Sequence, residues 1–323
     1  MTIGPNALLV RPKSSSRFLY FLILSPAFQE HLQRISSKIA QPKFNKTQFR
    51  SIVVPMPPPR EQQRIAEMLT TVQQAIEQQE RLITTTTELK QALMQKLFTE
   101  GLRGEAQKET EIGLVPESWE VVQLQSLADV RGGKRLPKGN SLVPEDTGYP
   151  YIRVTDFDDN SVTTEDVLFV PEHLQQGIKR YIIHKDDVYI SVAGSIGLVG
   201  MVPEELDGAN LTENANRLVI LDQRRITPRY LMYWLAAEYC QAEIKSQTLK
   251  NAQPKLSLGR IKTLAVALPS RKDQDAMVDA LDSVRNKIKV ANRKKTALQD
   301  LFRTLLHELM TGKVRVGEID LVG

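Results

Sequence analysis

Residues 252–255 read Ala252-Gln253-Pro254-Lys255, and the same four residues stand at Ala40-Gln41-Pro42-Lys43, an offset of 252 − 40 = 212. A repeated tetrapeptide decides nothing alone; its flanks do. At the same offset Arg17 meets Arg229, Leu19 meets Leu231, Gln29 meets Gln241 and Lys38 meets Lys250. Downstream, Val54 meets Val266, Pro57 meets Pro269, Gln62 meets Gln274, Leu69 meets Leu281 and Thr99 meets Thr311. The chain therefore holds two copies of a module of about 85 residues, with about 130 residues between them, too few and too long for a solenoid.

Within each copy the parts are readable. Residues 17–35 and 229–246 carry apolar side chains at helical spacing, with Pro228 fitting a first helical turn. The proline of the tetrapeptide ends that helix. Ile52-Val53-Val54 and Leu264-Ala265-Val266 read as short strands, closed by Pro57 and Pro269. A long helix follows in each copy. In the second, Met277, Leu281, Val284, Ile288, Ala291, Lys295, Leu298, Phe302, Leu305 and Leu309 step by four and three. In the first, Ile65, Leu69, Val72, Ile76, Gln79, Ile83, Thr86, Lys90, Leu93 and Leu97 fill the same slots. That is a heptad seam, and two exposed seams would aggregate, so the helices are expected to pair as an intramolecular antiparallel coiled coil. Each spans about 40 residues, or about 60 Å. Charge suggests the same pairing: Arg285, Lys287, Lys289, Arg293, Lys294 and Lys295 crowd the centre of one helix, Glu77 and Glu80 that of the other. A solvated basic face accounts for each of those residues individually as well.

Composition sets the bounds. The chain has 323 residues, 41% hydrophobic and 25% charged, with net charge +5. That leaves room for about two domains with real cores. One cysteine, Cys240, excludes an intrachain disulfide and a cysteine-based zinc cluster and points to a reducing, cytoplasmic setting. The apolar run Phe18 to Leu24 is far too short to span a bilayer. Residues 112–222 are turn-rich, with strands expected at Val121-Val122, Tyr149 to Val154, Val188 to Val192 and Leu218 to Leu221. The fold class is thus α/β, mixed α+β domains combined with two long helices and an internal duplication.

Catalytic constellations are missing from the pattern. The four histidines have no metal-ligand spacing, and no phosphate-binding GxxxxGKS loop occurs. Asp156-Phe157-Asp158-Asp159 fits a turn better than a cation site. Binding signals are stronger. Arg131, Lys134, Arg135 and Lys138 lie in one glycine-rich loop, from which backbone can approach a polyanion while side chains reach phosphates or base edges. A solvated surface loop has the same composition. Lys250, Asn251, Gln253 and Lys255 place amides, able to read base edges, between lysines, with Lys38 and Lys43 as their first-copy counterparts. Arg153 stands at a strand end.

Four stretches together resemble the DNA-specificity (S) subunits of type I restriction-modification enzymes. Residues 112–120 (IGLVPESWE) are similar to the opening of that family's target-recognition domain, residues 149–153 (YPYIR) to an early strand, and residues 191–197 (SVAGSIG) to a later turn. Gln253-Pro254 with the strand to Pro269, echoed by Gln41-Pro42 and residues 57–62 (PPPREQ), is similar to the exit into the family's conserved helix. The resemblance implies two target-recognition domains separated by two antiparallel spacer helices. It divides the chain into an incomplete first recognition domain (1–58), spacer helix 1 (59–103), a complete recognition domain (104–268) and spacer helix 2 with a tail (269–323). By the same resemblance the first domain lacks its opening half, as in an N-terminally truncated S subunit. The resemblance further implies a non-catalytic chain that reads double-stranded DNA. Modification (methyltransferase) subunits would dock on the helices and a motor-nuclease restriction subunit would join them, S-adenosylmethionine, ATP and Mg belonging to those partners. A homodimer would restore two half-sites. The rival reading is an interaction protein that occupies the modification subunit without effective DNA recognition.

Overall fold

The offset of 212 holds element by element. The computed structural model describes residues 7–36, 43–248 and 255–316. In the first copy α1 (Ser16–Leu24), α2 (Pro26–Ile35) and α3 (Lys46–Arg50) lead into α4 (Pro59–Glu100). In the second, α6 (Pro228–Ala236), α7 (Glu238–Thr248), α8 (Leu258–Lys262) and the strand β14 (Ala265–Leu268) lead into α9 (Arg271–Thr311). The caps repeat too. Ser15 accepts from the Phe18 amide as Thr227 accepts from that of Tyr230, and Asn45 opens α3 as Ser257 opens α8. Two buried glutamines do the same work in both copies: the Gln62 amide donates to the Pro57 carbonyl at 2.8 Å and that of Gln274 to Pro269 at 3.2 Å. Each pins the entrance of a long helix to the prolines before it.

Both expected long helices form, of 42 and 41 residues, each followed by a glycine with positive φ, Gly101 at 68° and Gly312 at 72°. The chain divides into two units, residues 1–87 with 286–323, and residues 88–285. In the first unit Ile65, Ala66 and Leu69 of α4 share a core with Leu306, Leu309 and Met310 of α9 and with Phe18, Phe21, Leu22 and Phe28. In the second unit Leu97 and Phe98 share a core with Met277, Val278 and Leu281. The start of one helix meets the end of the other in each unit, so the pair is antiparallel. One ion pair per unit closes it: Glu61 with Arg315 at 3.1 Å, and Asp273 with Arg103 at 2.8 Å. These pairs are the same contact repeated, since 273 − 61 and 315 − 103 both equal 212.

The seam is buried at Ile65, Leu69, Leu97, Met277, Leu281, Val284 and Leu309, and half-buried at Val72, Ile76, Leu93, Ile288, Leu298, Phe302 and Leu305. Two-helix seams shield their middles only partly. The expected complementarity of charge across the helices does not form. Glu77 accepts from Gln73, and among the described residues neither Glu77 nor Glu80 pairs with a cation of α9. At solvent-exposed positions such pairs gain little, so nothing compels them.

The remainder of the second unit is the β-rich domain. A hairpin of β1 (Gln107–Thr110) and β2 (Gly113–Pro116) precedes β3 (Glu120–Gln123), which pairs antiparallel with β14. One four-stranded sheet has the order β11 (Val199–Met201), β10 (Val188–Ser191), β13 (Ala215–Ile220), β4 (Ala128–Gly132). The other has the order β8 (Leu168–Phe169), β5 (Pro150–Ile152), β12 (Ala209–Leu211), β9 (Ile182–Ile183), with β5 and β12 parallel and α5 (Glu172–Ile178) preceding β9. A hairpin of β6 (Phe157–Asp158) and β7 (Ser161–Val162) turns at Asp159 and Asn160, both at positive φ. The core joins Trp119, Val188, Ile190 and Leu218 to Tyr230, Tyr233 and Trp234. Strands form at all four expected places, whereas Ile52-Val53-Val54 forms none. Its equivalent β14 is a strand paired with β3.

Candidate nucleic-acid interface

The glycine-rich basic loop leaves the end of β4 and is fixed there by backbone. The Gly133 amide donates to the Ala215 carbonyl at 3.0 Å, and that of Lys134 to Leu211 at 2.8 Å. A Cβ on residue 133 would fall on the carbonyl oxygens of Leu211 and Thr212, so only glycine fits this approach. Tyr151, from β5, donates its hydroxyl to the Lys134 carbonyl at 2.9 Å. With the backbone held, the side chains project: Lys134, Arg135 and Lys138 are exposed, and Lys138 has no partner among the described residues.

The turn 211–216 is the hub of this region. Besides the basic loop it holds the end of β5, through the Thr212 amide to the Ile152 carbonyl at 3.0 Å. The Asn214 carbonyl accepts from Val192 at 2.7 Å, in the stretch 191–197. Val192 in turn accepts from the amide of Leu256 at 3.0 Å, which brings exposed Lys255 to the same neighbourhood. Three stretches far apart in sequence thus converge on one turn, and a fourth joins through Val192. Sequence reading did not single this turn out, because its role lies in long-range backbone contacts.

Electrostatics sorts the cations. Arg135 Nε meets Glu213 Oε1 of the hub at 2.5 Å. Burial works to raise the Glu213 pKa, but the Arg135 hydrogen bond, its own backbone amide and the Arg135 charge outweigh that and hold it below the usual carboxylate range. Arg131 pairs with Asp129 at 2.7 Å and stands opposite buried Arg217, whose pKa burial pushes down while Asp187, at 3.6 Å, opposes the shift. Arg153 donates a fork to Asp156, at 2.6 Å from Nη2 and 3.0 Å from Nε, and so is held within the 153–156 turn. Lys134 Nζ sits 5.8 Å from the centre of the Tyr181 ring. That contact adds two cations sequence reading missed, exposed Lys179 and Arg180, the latter without a partner among the described residues. The signal was present: Lys179-Arg180 repeats the Lys134-Arg135 pair beside an aromatic.

Lys43 lies in the first unit, just ahead of α3 and exposed. Lys38, Lys250, Asn251 and Gln253 lie outside the described residues. The stretch 156–159, expected as a turn, is one only at its end: Asp156 closes a 3₁₀ turn, Phe157 and Asp158 form β6, and Asp159 enters the hairpin turn, where it receives Lys90 of α4 and Arg285 of α9, each at 3.2 Å, which ties the β6–β7 hairpin to both long helices. Among the described residues no group of three or more His, Cys, Asp or Glu could hold a metal. Cys240 is buried, which pushes its thiol pKa up. No helix among the described residues is long and apolar enough to cross a membrane.

Residues 5–85 and 116–300 match the family model of the type I restriction modification DNA specificity domain, one match falling on each copy of the repeat. The chain belongs to that family. It is 25% identical over 284 residues to the type I restriction enzyme MjaVIII specificity subunit of Methanocaldococcus jannaschii, covering 86% of this chain and 66% of that one. It is also 25% identical over 322 residues to the putative MjaX specificity subunit of the same organism, covering 97% and 72%. The chain therefore spans about two thirds of the length of these curated relatives. In fold it is similar to the crystal structure of the type I restriction-modification S subunit from M. genitalium, with TM-score 0.63, 19% identity, and 91% and 72% of the two chains covered. A structure from work on assembly and conformational transition of the type I system aligns with TM-score 0.59 at 17% identity, covering 93% and 72%.

Proposed function

We propose that the second unit reads a half-site of double-stranded DNA within a type I restriction-modification assembly. The observation that carries this reading is the convergence of the 131–138 loop, the β5 end and the 191–197 turn on residues 211–216, with Lys255 joined through the Leu256–Val192 bond, and with Lys134, Arg135, Lys138, Arg180 and Lys255 as exposed cations of these segments. Lys134, Lys138, Arg180 and Lys255 suit phosphate contacts that set position, a sequence-independent term. Arg135, steadied by Glu213, suits a base edge: a guanidinium donates two parallel bonds to guanine, and a carboxylate can accept from cytosine.

Modification subunits dock along the antiparallel helices. Leu82 of α4 and Val290 and Leu301 of α9 are large, exposed apolar residues outside the seam. Lys287, Lys289, Arg293 and Lys294 are exposed there without an ion pair among the described residues. Methylation from S-adenosylmethionine and ATP-driven cleavage belong to the docked subunits, in keeping with the absence of a catalytic constellation from the sequence.

The test is fluorescence anisotropy of the purified chain on a DNA duplex, with and without the modification subunit, across salt. A Kd that weakens steeply with salt, and a further loss of about tenfold or more in the Lys134→Ala, Arg135→Ala double variant, are expected. A salt-independent Kd, or a double variant that binds unchanged, would sink the reading. Retention of the modification subunit with no DNA retention would then mark an interaction protein that works through its helices alone.

A further inference from the structure

In the second unit the β1–β2 hairpin, the end of α4 and the α6–α7 junction surround a pocket of about 580 Å³. It shares no residue with the 211–216 hub or the segments that meet it. Its floor is apolar and fixed. Phe98 meets the Trp234 ring edge-on with centroids 5.4 Å apart, and the Trp234 indole donates to the Ala265 carbonyl at 2.9 Å. The hairpin is fastened to α4 by Gln107, whose side-chain amide donates to the Thr99 carbonyl at 2.7 Å. Floor and wall are thus set before anything binds. At the lip, Leu114 is 57% exposed and Tyr239 39%.

The repeat shows that packing does not require this space. Adding 212 to Met94 and Phe98 gives Leu306 and Met310, and subtracting it from Cys240 gives Phe28. In the first unit Phe28 is buried in one core with Leu306 and Met310. In the second, Met94, Phe98 and Cys240 all line the pocket, and the small thiol leaves room where the first unit places a ring.

Charge at the mouth is one-sided. Glu100 and Glu238 line the pocket, and no lysine or arginine does. Burial first, and then neighbouring groups that include Glu243 and Glu111, push the Tyr239 phenol up to about 12, which places two more carboxylates beside the lip. None of these four carboxylates has an ion pair among the described residues, on a chain of net charge +5. Like charges gathered without a cation favour a partner of opposite sign.

We propose that this pocket docks a partner protein through a bulky apolar side chain flanked by lysines or arginines. The anchor enters the apolar floor, and its basic neighbours pair with Glu100, Glu238 and Glu111. The same carboxylates repel the phosphates of nucleic acid and of anionic lipid headgroups, which leaves a basic peptide segment as the occupant. A second copy of this chain is the poorer match. Of its basic-flanked apolar side chains, Phe44 is already stacked on Phe49, and Val290 of α9 is too short to fill the pocket. The proposal goes beyond DNA reading and requires none of it.

The test pans a phage-displayed library of random peptides of about 12 residues against the full chain, with the Glu100→Lys, Glu238→Lys double variant as counter-target. Both positions are exposed, and an unchanged far-UV circular dichroism spectrum certifies the variant's fold. Peptides enriched on the parent alone should carry Leu, Met, Phe or Trp beside several Lys or Arg. Synthesised with a fluorescein label, they should bind the parent with a Kd that weakens as salt is added. They should lose about tenfold or more in the double variant, and as much in Leu114→Asp. The same peptides with Glu in place of every Lys and Arg should bind the double variant better than the parent, a charge swap that a disturbed fold does not produce. Enrichment of acidic or uncharged peptides, equal enrichment on both targets, or no enrichment overturns the proposal. So does self-association of the parent in sedimentation equilibrium that the double variant abolishes, which would give the pocket to a second copy. No DNA is present, so this proposal and the DNA reading fail separately.

Discussion

Met232 and Tyr20 hold the same place in two copies of one module, yet Met232 is 2% exposed and Tyr20 50%. The helix that carries each is nine residues long, starts from a hydroxyl cap and buries the same inner face, Tyr230 and Tyr233 in α6, Phe18 and Phe21 in α1. What differs is the outer face. The second copy packs it against two sheets, and the first leaves it open. Local sequence is thus enough to build the helices, while in the second copy the burial of the outer face depends on the β-rich residues packed against it.

The largest expected effect breaks that comparison directly. Met232→Ala should cost about 2–5 kcal/mol, as a large-to-small change in a closed core, and Tyr20→Ala should stay within about 0.5 kcal/mol, as a surface change. Chemical denaturation of both variants checks this; equal losses would mean that the first-copy face is covered. Next comes the contact both copies share. Gln274→Ala strands the Thr227 amide and the carbonyls of Arg225 and Pro269, and should cost about 1–3 kcal/mol. Gln62→Ala strands the Pro57 carbonyl and the Ser14 hydroxyl nearer to solvent, and should cost about 1 kcal/mol. The ratio measures how far closure of the outer face deepens an otherwise identical clamp.

Much of this frame is legible in the sequence because it is written in short-range periodicity. The four-and-three stepping from Ile65 to Leu97 and from Met277 to Leu309 fixes two long helices, and the offset of 212 finds every equivalent helix. The interface is less legible. Lys134 and Arg135 stand out as cations among glycines, but Glu213 and Asn214, which hold them and their neighbours, look like an ordinary polar turn. Arg135 is 78 residues from Glu213, the β5 end at Ile152 is 212 − 152 = 60 residues from Thr212, and parallel pairing of β5 with β12 leaves no local trace. Ile52-Val53-Val54 shows the converse failure, since its composition is that of a strand and none forms there.

The repeated ion pairs give a finer comparison. Arg103–Asp273 and Arg315–Glu61 occupy equivalent places, each with an exposed guanidinium and a largely shielded carboxylate. Double-mutant cycles should give coupling of about 0.2–1 kcal/mol in each, weakening with added salt. Unequal couplings would follow from the different bonds, Arg103 Nη2 to Asp273 Oδ1 at 2.8 Å and Arg315 Nε to Glu61 Oε1 at 3.1 Å.

The smallest effect tests whether closure of the second copy has a cost. Glu243 of α7 is half-buried, with Oε2 lacking a partner among the described residues. Burial first, and then the charge of Glu111, raises its pKa, with the Gln247 amide opposing. A folded pKa above the unfolded one means that the fold favours the neutral form. That contribution is complete below the unfolded pKa and is lost as pH rises through the folded value. At pH 7 the ionised carboxylate is therefore a burden, and Glu243→Gln should raise the melting temperature by about 1–2 °C, a gain that disappears near pH 4. His31 stands at the equivalent place in α2, fully on the open side of the first copy. His31→Gln should leave the melting temperature unchanged at pH 7, because the side chain is exposed and stays in water.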